Sequence, residues 1–238
     1  MFREWILSHN RSEVDSYTNL KLAIGILGMA LPLICIFGGL IFAGLAVQNS
    51  VSHYYHTNMR DVFVGLLACA SILFMTYSGY GIIDNVVTWL IGLAGAGVVI
   101  FPCPTYPQMP KALVGILQLP QAASAPVHFG FSGAFFFLLA INSIFLFTLS
   151  KKKDVGHEKR LRNGIYVGSG VVILASLATL LILSLVAPNY FENSSIALVF
   201  EAVMLFTFGV SWLVKGDFPL FRDKRREPKR HSRNTRRG

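Results

Sequence analysis

Charge is scarce in this sequence. Asp, Glu, Lys and Arg make up 14% of its 238 residues, against about a quarter in an ordinary soluble domain, which argues against a chain with water on every side. Acidic groups are the scarcer sign: 12 stand against 21 basic ones, for a formal net charge of +9. A 53% apolar content beside that basic excess implies that the two are segregated along the chain. Cysteine is also sparse. Cys35 and Cys69 fall inside apolar runs and Cys103 stands alone in a connecting stretch, so no disulfide framework is available. A cleavable signal is not expected, because the first apolar run follows Glu4, Glu13 and Asp15 and is far longer than a signal core of roughly 7–15 residues.

What the chain has in plenty is apolar sequence, in six runs at 22–47, 62–77, 83–101, 127–149, 165–186 and 196–214. A helix needs roughly 20 apolar residues to cross a hydrocarbon core of about 30 Å; four runs meet this readily, and the second and third lie near the lower limit. The placement of Lys and Arg tests the count independently, since cytoplasmic loops collect them. With six spans, one side receives Arg3, Arg11 and Lys21, then Lys151, Lys152, Lys153, Lys159, Arg160 and Arg162, and finally every basic residue from Lys215 onward. The other side receives only Arg60 and Lys111. The sequence therefore predicts an all-α, polytopic membrane protein of six transmembrane helices with both termini in the cytoplasm. Its parts are a cytoplasmic segment 1–21, a six-helix domain 22–214 and a basic cytoplasmic tail 215–238.

The connecting segments carry their own expectations. Phe2, Trp5, Ile6 and Leu7 in the leader are suited to the headgroup region, or simply to a frayed terminus. Gly25, Gly28, Gly38, Gly39 and Gly44 in the first run, and Gly92, Gly95 and Gly97 in the third, read as close-packing faces. The outer stretch 102–126 holds six prolines, and residues 111–119 between two of them are apolar enough for a short helix resting on the membrane. The tail is too polar to bury a core. Its basic residues favour anionic lipid by ~1 kcal/mol each near the surface, and it lacks the interleaved aromatics of a nucleic-acid platform, so no nucleic acid is expected. Trp89 and Trp212 fall near the cytoplasmic interface, as in an aromatic belt. Asp84 and Asn85 read as a cap on the third helix.

Chemistry concentrates at 50–65, SVSHYYHTNMRDVFVG, at the outer end of the second run. On a helix His53 and His56 share a face at i,i+3, and His56 and Arg60 at i,i+4. Neutral imidazoles are common metal ligands and Asp61 adds a carboxylate, although this spacing is far less specific than an HExxH helix. His128 starts the fourth run on the same side. Glu201 lies about a turn and a half inside the outer end of the sixth, where a carboxylate must be paired, protonated or facing water. His53, His56, Arg60, Asp61, His128 and Glu201 thus define an expected outer-leaflet polar pocket, with His53, His56 and His128 as the possible ligands of a zinc ion. The plainer alternatives are interfacial residues marking the membrane boundary and an Arg60–Glu201 ion pair.

The segment 50–65, with FGVSWLVKG at 208–216, resembles uncharacterised bacterial six-helix membrane proteins that carry a YYHT–MRD–VFVG-like stretch, a resemblance that implies the same fold and brings no activity with it. Ser52, His53, Asp61 and His128 also supply the residue types of the alkaline ceramidase-like membrane hydrolases, which hold zinc with Ser, Asp and several His. That family closes on an HxxxH pair, absent here, and has seven spans. The leading expectation is a non-enzymatic protein that binds a lipid or amphipathic ligand, or a membrane-protein partner, through the outer pocket. A metal-dependent hydrolase acting on a lipid or amide at the outer leaflet is the alternative, with a proton-coupled transporter third.

Overall fold

The computed structural model of the chain describes residues 2–79, 81–105, 108–149 and 157–218. The leader's side chains through residue 14, the residues 150–156 of the basic loop, and the tail beyond residue 218 lie outside the description, and with them the membrane-adhesion expectations placed there. The described chain is mostly helical: α1 (Phe2–Phe42), α2 (Arg60–Thr76), α3 (Ile82–Ile100), α4 (Gln121–Ile141), α5 (His157–Val186), the short α6 (Pro188–Asn193) and α7 (Ile196–Lys215). Five helical segments, Asp15–Phe42, Ile82–Ile100, Gln121–Leu146, Glu158–Val186 and Ile196–Lys215, are long and apolar enough to cross a membrane. The second run forms α2, which is shorter, at 17 residues.

The six long helices close a ring in sequence order. Each of α1 to α5 packs against the next, α5 packs against α7, and α7 returns to α1. In lipid this association gains little from the hydrophobic effect and depends on close contact, which the glycines supply. A Cβ on Gly25 would meet the Gly209 carbonyl oxygen at 3.0 Å, and one on Gly209 would meet the Gly25 carbonyl oxygen at 2.8 Å, so α1 and α7 touch backbone to backbone. Gly92 likewise lies against the Ser71 carbonyl of α2. Gly44, expected in the first packing face, instead ends the helix. Its φ is +60°, a conformation suited to glycine, and Leu45 then donates to the Gly39 carbonyl at 2.9 Å. The apolar run 22–47 therefore leaves the helix after Phe42, and residues 43–59 turn back over the bundle.

Trp212 corrects the belt expectation. It is fully buried, with its ring edge-on to Phe74, Tyr77 and Phe147 at 5.4, 5.0 and 5.1 Å, so it ties α2 and α7 to the end of α4. Trp89, by contrast, is exposed on the outside of α3. α4 passes into a π-helical turn, Asn142–Leu146, that turns Ser143 toward the Tyr166 carbonyl of α5 at 2.9 Å.

The expected surface helix at 111–119 is also corrected. Leu113–Val114 pairs antiparallel with Leu119–Pro120, joined through Gly115 at φ +73° and Gln118 at φ +50°. Two left-handed residues break a helix and close a hairpin. A Cβ on Gly115 would meet the Ile100 carbonyl oxygen at 3.0 Å, so the hairpin folds back onto the end of α3.

Backbone contact between α1 and α7 should respond to a single methyl group. Gly209→Ala is expected to lower the apparent melting temperature in detergent, because overpacking costs about 1–3 kcal/mol. Gly130→Ala on α4, whose added methyl meets nothing within 4 Å, should be neutral or stabilising through helix propensity. Equal responses at the two positions would contradict the packing.

Candidate functional site

The end of the bundle where α3 finishes and α4 begins is organised by a backbone problem. After α3 the chain reads Phe101-Pro102-Cys103-Pro104, and the prolines carry no N–H, so this segment joins no helix or sheet and its carbonyls need donors from elsewhere. Three side chains provide them. His128 bonds the Phe101 carbonyl through Nδ1 at 2.7 Å, Ser124 donates to Pro102 at 2.9 Å, and His56 bonds Cys103 through Nε2 at 2.8 Å. His53 lies beside the Pro104 backbone. The Cys103 thiol, its ionisation pushed up by burial, donates to the Ser52 carbonyl at 3.2 Å. α4 supplies His128 and Ser124; the 3₁₀ turn Ser52–His56 supplies His56 and His53.

That turn is held from the opposite side by Glu201. Its Oε2 accepts from the Val51 N–H at 2.7 Å, and the Ser50 hydroxyl stands 2.9 Å from both carboxylate oxygens. The Ser52 N–H in turn donates to Ser50 Oγ at 3.0 Å. A carboxylate bonded to the first free N–H groups of a turn is a charge-assisted cap. Glu201 also lines a cavity of about 30 Å³ with Ser52 and Ser132, room for about one water.

The six expected residues are therefore not one pocket. Glu201 pairs with neither Arg60 nor a histidine; it bonds the Ser50 hydroxyl and the Val51 N–H, with the Ser52 backbone beside it. Arg60 points elsewhere, donating to the Tyr55 hydroxyl at 2.9 Å and lying 4.6 Å over that ring. Asp61 is exposed in the first turn of α2, where its charge suits the helix dipole. His53, His56 and His128 do share a neighbourhood, close enough for their charges to act on one another. Yet among the described residues no three His, Cys, Asp or Glu side chains gather as a metal ion requires, so the donor set does not fit the zinc site considered from the sequence.

What the arrangement does create is an open polar cleft of about 290 Å³, lined by Val47, Gln48, Asn49, His53, His56 and Thr105. Asn49 is fixed by its Nδ2, which donates to the Glu192 carbonyl at 2.7 Å, and by its carbonyl, which accepts from the Leu198 N–H at 2.9 Å. Thr105 donates to Gln121 Oε1 at 3.1 Å, as does the Met109 N–H. Beyond Leu198 an apolar groove of about 430 Å³ runs down α7, with Ile36 of α1 on its other side. Gln48, Asn49, Ser50, Thr105 and Ser124 were not anticipated. The proline run was the available signal, since each proline announces carbonyls in need of donors. No protein-family model, curated protein or solved structure matches this chain.

Burial, then the neighbouring imidazoles, hold the His53 pKa down at about 4, and burial lowers that of His56. Between about pH 4 and the unperturbed 6.5, the unfolded chain binds the proton more readily, so stability falls as pH drops through that window. The apparent melting temperature should follow, with a shallower slope in His53→Asn; an unchanged slope would contradict a neutral His53. Ser124→Ala, which orphans the Pro102 carbonyl, should cost about 1–3 kcal/mol.

Proposed function

We propose that the protein is a six-span membrane protein, N-in and C-in, that binds the headgroup of a lipid or amphipathic ligand in the outer cleft, without catalysing a reaction. The single observation behind the binding reading is the adjacency of the two concavities. Asn49 lines the polar cleft and Leu198 lines the apolar groove, and one backbone hydrogen bond of 2.9 Å joins them. A molecule with a polar head and an apolar chain matches that pairing.

Six spans are supported by the ring. α2 lies between α1 and α3, and its 17 residues stand at the lower end of the roughly 17–25 that cross a bilayer. The Lys and Arg asymmetry supports the orientation, and the bacterial inner membrane is what the sequence resemblance at 50–65 would imply. In a Cys69→Ala background, cysteines at Asn58 and Gln108 should label from the outside and one at Arg160 only after permeabilisation. Labelling of Arg160→Cys and Gln108→Cys from the same side would sink the topology.

Binding is tested by lipid retention. Protein purified in mild detergent should carry a non-annular lipid at near-equimolar amount, and Gln48→Trp, which fills the cleft from an irregular loop, should release it with little change in melting temperature. Equal lipid content in wild type and Gln48→Trp would remove the basis for the site.

A further inference from the structure

Within the outer cleft, and resting on its reading as a lipid site, we infer that the occupant is a lipid with an uncharged, polyhydroxylated headgroup, such as a glycosyl diacylglycerol, whose acyl chain lies in the α7 groove. The lining of the cleft carries the argument. Five of its six side chains are polar, yet they are two amides, a hydroxyl and two imidazoles, and the depressed pKa values of His53 and His56 keep the imidazoles neutral at physiological pH. A phosphate or carboxylate seated there would lose water without gaining a counter-charge, which is costly. Sugar hydroxyls both donate and accept, and so do amides, threonine and neutral imidazole.

The nearby charged groups have partners of their own outside the cleft lining, and the Arg60 charge reaches the cleft only through space, at His56. The Arg60 guanidinium is bonded to the Tyr55 hydroxyl and stacked on its ring. The Glu192 carboxylate accepts from Gln108 Nε2 at 3.3 Å. Neither side chain lines the cleft.

The groove fixes where the chain goes. Val199, Ala202, Val203 and Phe206 line it at the i, i+3, i+4, i+7 spacing of one helix face, and Ile36 closes the other wall. A seven-residue advance along α7 spans about 10 Å, enough to order the first several methylenes of a chain whose head sits beside Asn49.

The test uses the full-length protein in detergent, incubated with an equimolar mixture of glucosyl dioleoylglycerol, dioleoyl phosphatidylglycerol and dioleoyl phosphatidylethanolamine and read by native mass spectrometry. The glucosyl lipid should be retained about tenfold over either phospholipid. Gln48→Trp in the cleft and Ala202→Trp in the groove should each abolish that preference. Retention of a phospholipid that Gln48→Trp removes would overturn the uncharged-headgroup inference and leave the lipid site standing. Retention no higher in wild type than in Gln48→Trp would overturn both. A glucosyl preference untouched by Ala202→Trp would overturn the placement of the chain.

Discussion

Four successive carbonyls, from Phe101 to Pro104, set the architecture of the outer face. Residues 102–104 are buried, where a backbone oxygen without a partner costs about 1–3 kcal/mol, and a proline run can neither form a helix nor lend its missing donors. Every element around the run is placed to satisfy it. α4 begins at Gln121, early enough to bring Ser124 and His128 to the first two carbonyls, and the turn at Ser52–His56 brings His56 to the Cys103 carbonyl from the opposite side, with His53 beside Pro104. The run behaves as a strut, and the side chains that surround it are what join α4 to the segment between α1 and α2.

The turn itself would be unsupported without Glu201. It lies in a stretch that has left α1 and has not yet entered α2, and its first N–H groups need an acceptor. A carboxylate in α7 meets that need through Val51 and Ser50, so the same residue that is expensive inside a membrane supplies a cap. Held by Glu201 on one side and by the proline strut on the other, residues 47–56 form a fixed wall. The cleft is the space that remains between that wall and Thr105.

The apolar runs were legible as helices from the sequence because they depend on composition over tens of residues, where single side chains average out. The glycine faces on α1 and α3 were legible for a similar reason: helix packing in lipid admits few alternatives to small residues. The hairpin at 113–120 was not, since apolar content alone does not separate a helix from a hairpin, and the decisive conformation belongs to Gly115 and Gln118 individually. Trp212 was misplaced because its position in the sequence gives depth along the helix but not the face it occupies. Of the polar residues singled out, His53 and His56 line the cleft, His128 and Glu201 brace the segments around it, and Arg60 and Asp61 stand apart. Opposite charges and histidines suggested pairing with one another, whereas most of the bonds in the structure run from side chain to backbone.

That difference bears on what the histidines are for. A hydrogen bond from one ring nitrogen to a carbonyl is compatible with metal ligation through the other, so the bonds themselves decide nothing. Their spacing is more informative. Ligands of one zinc ion sit at about 2.0–2.1 Å from a single point. Here His128 and His56 are anchored at Phe101 and Cys103 and His53 lies beside Pro104, and an extended chain advances about 3.3 Å per residue, which spreads the three positions over roughly 10 Å. Rings distributed along a line hold an extended segment well and converge on a point poorly. The imidazoles that His53 and His56 present to the cleft are neutral hydrogen-bonding surface there, the kind that the headgroup of the proposed ligand would use.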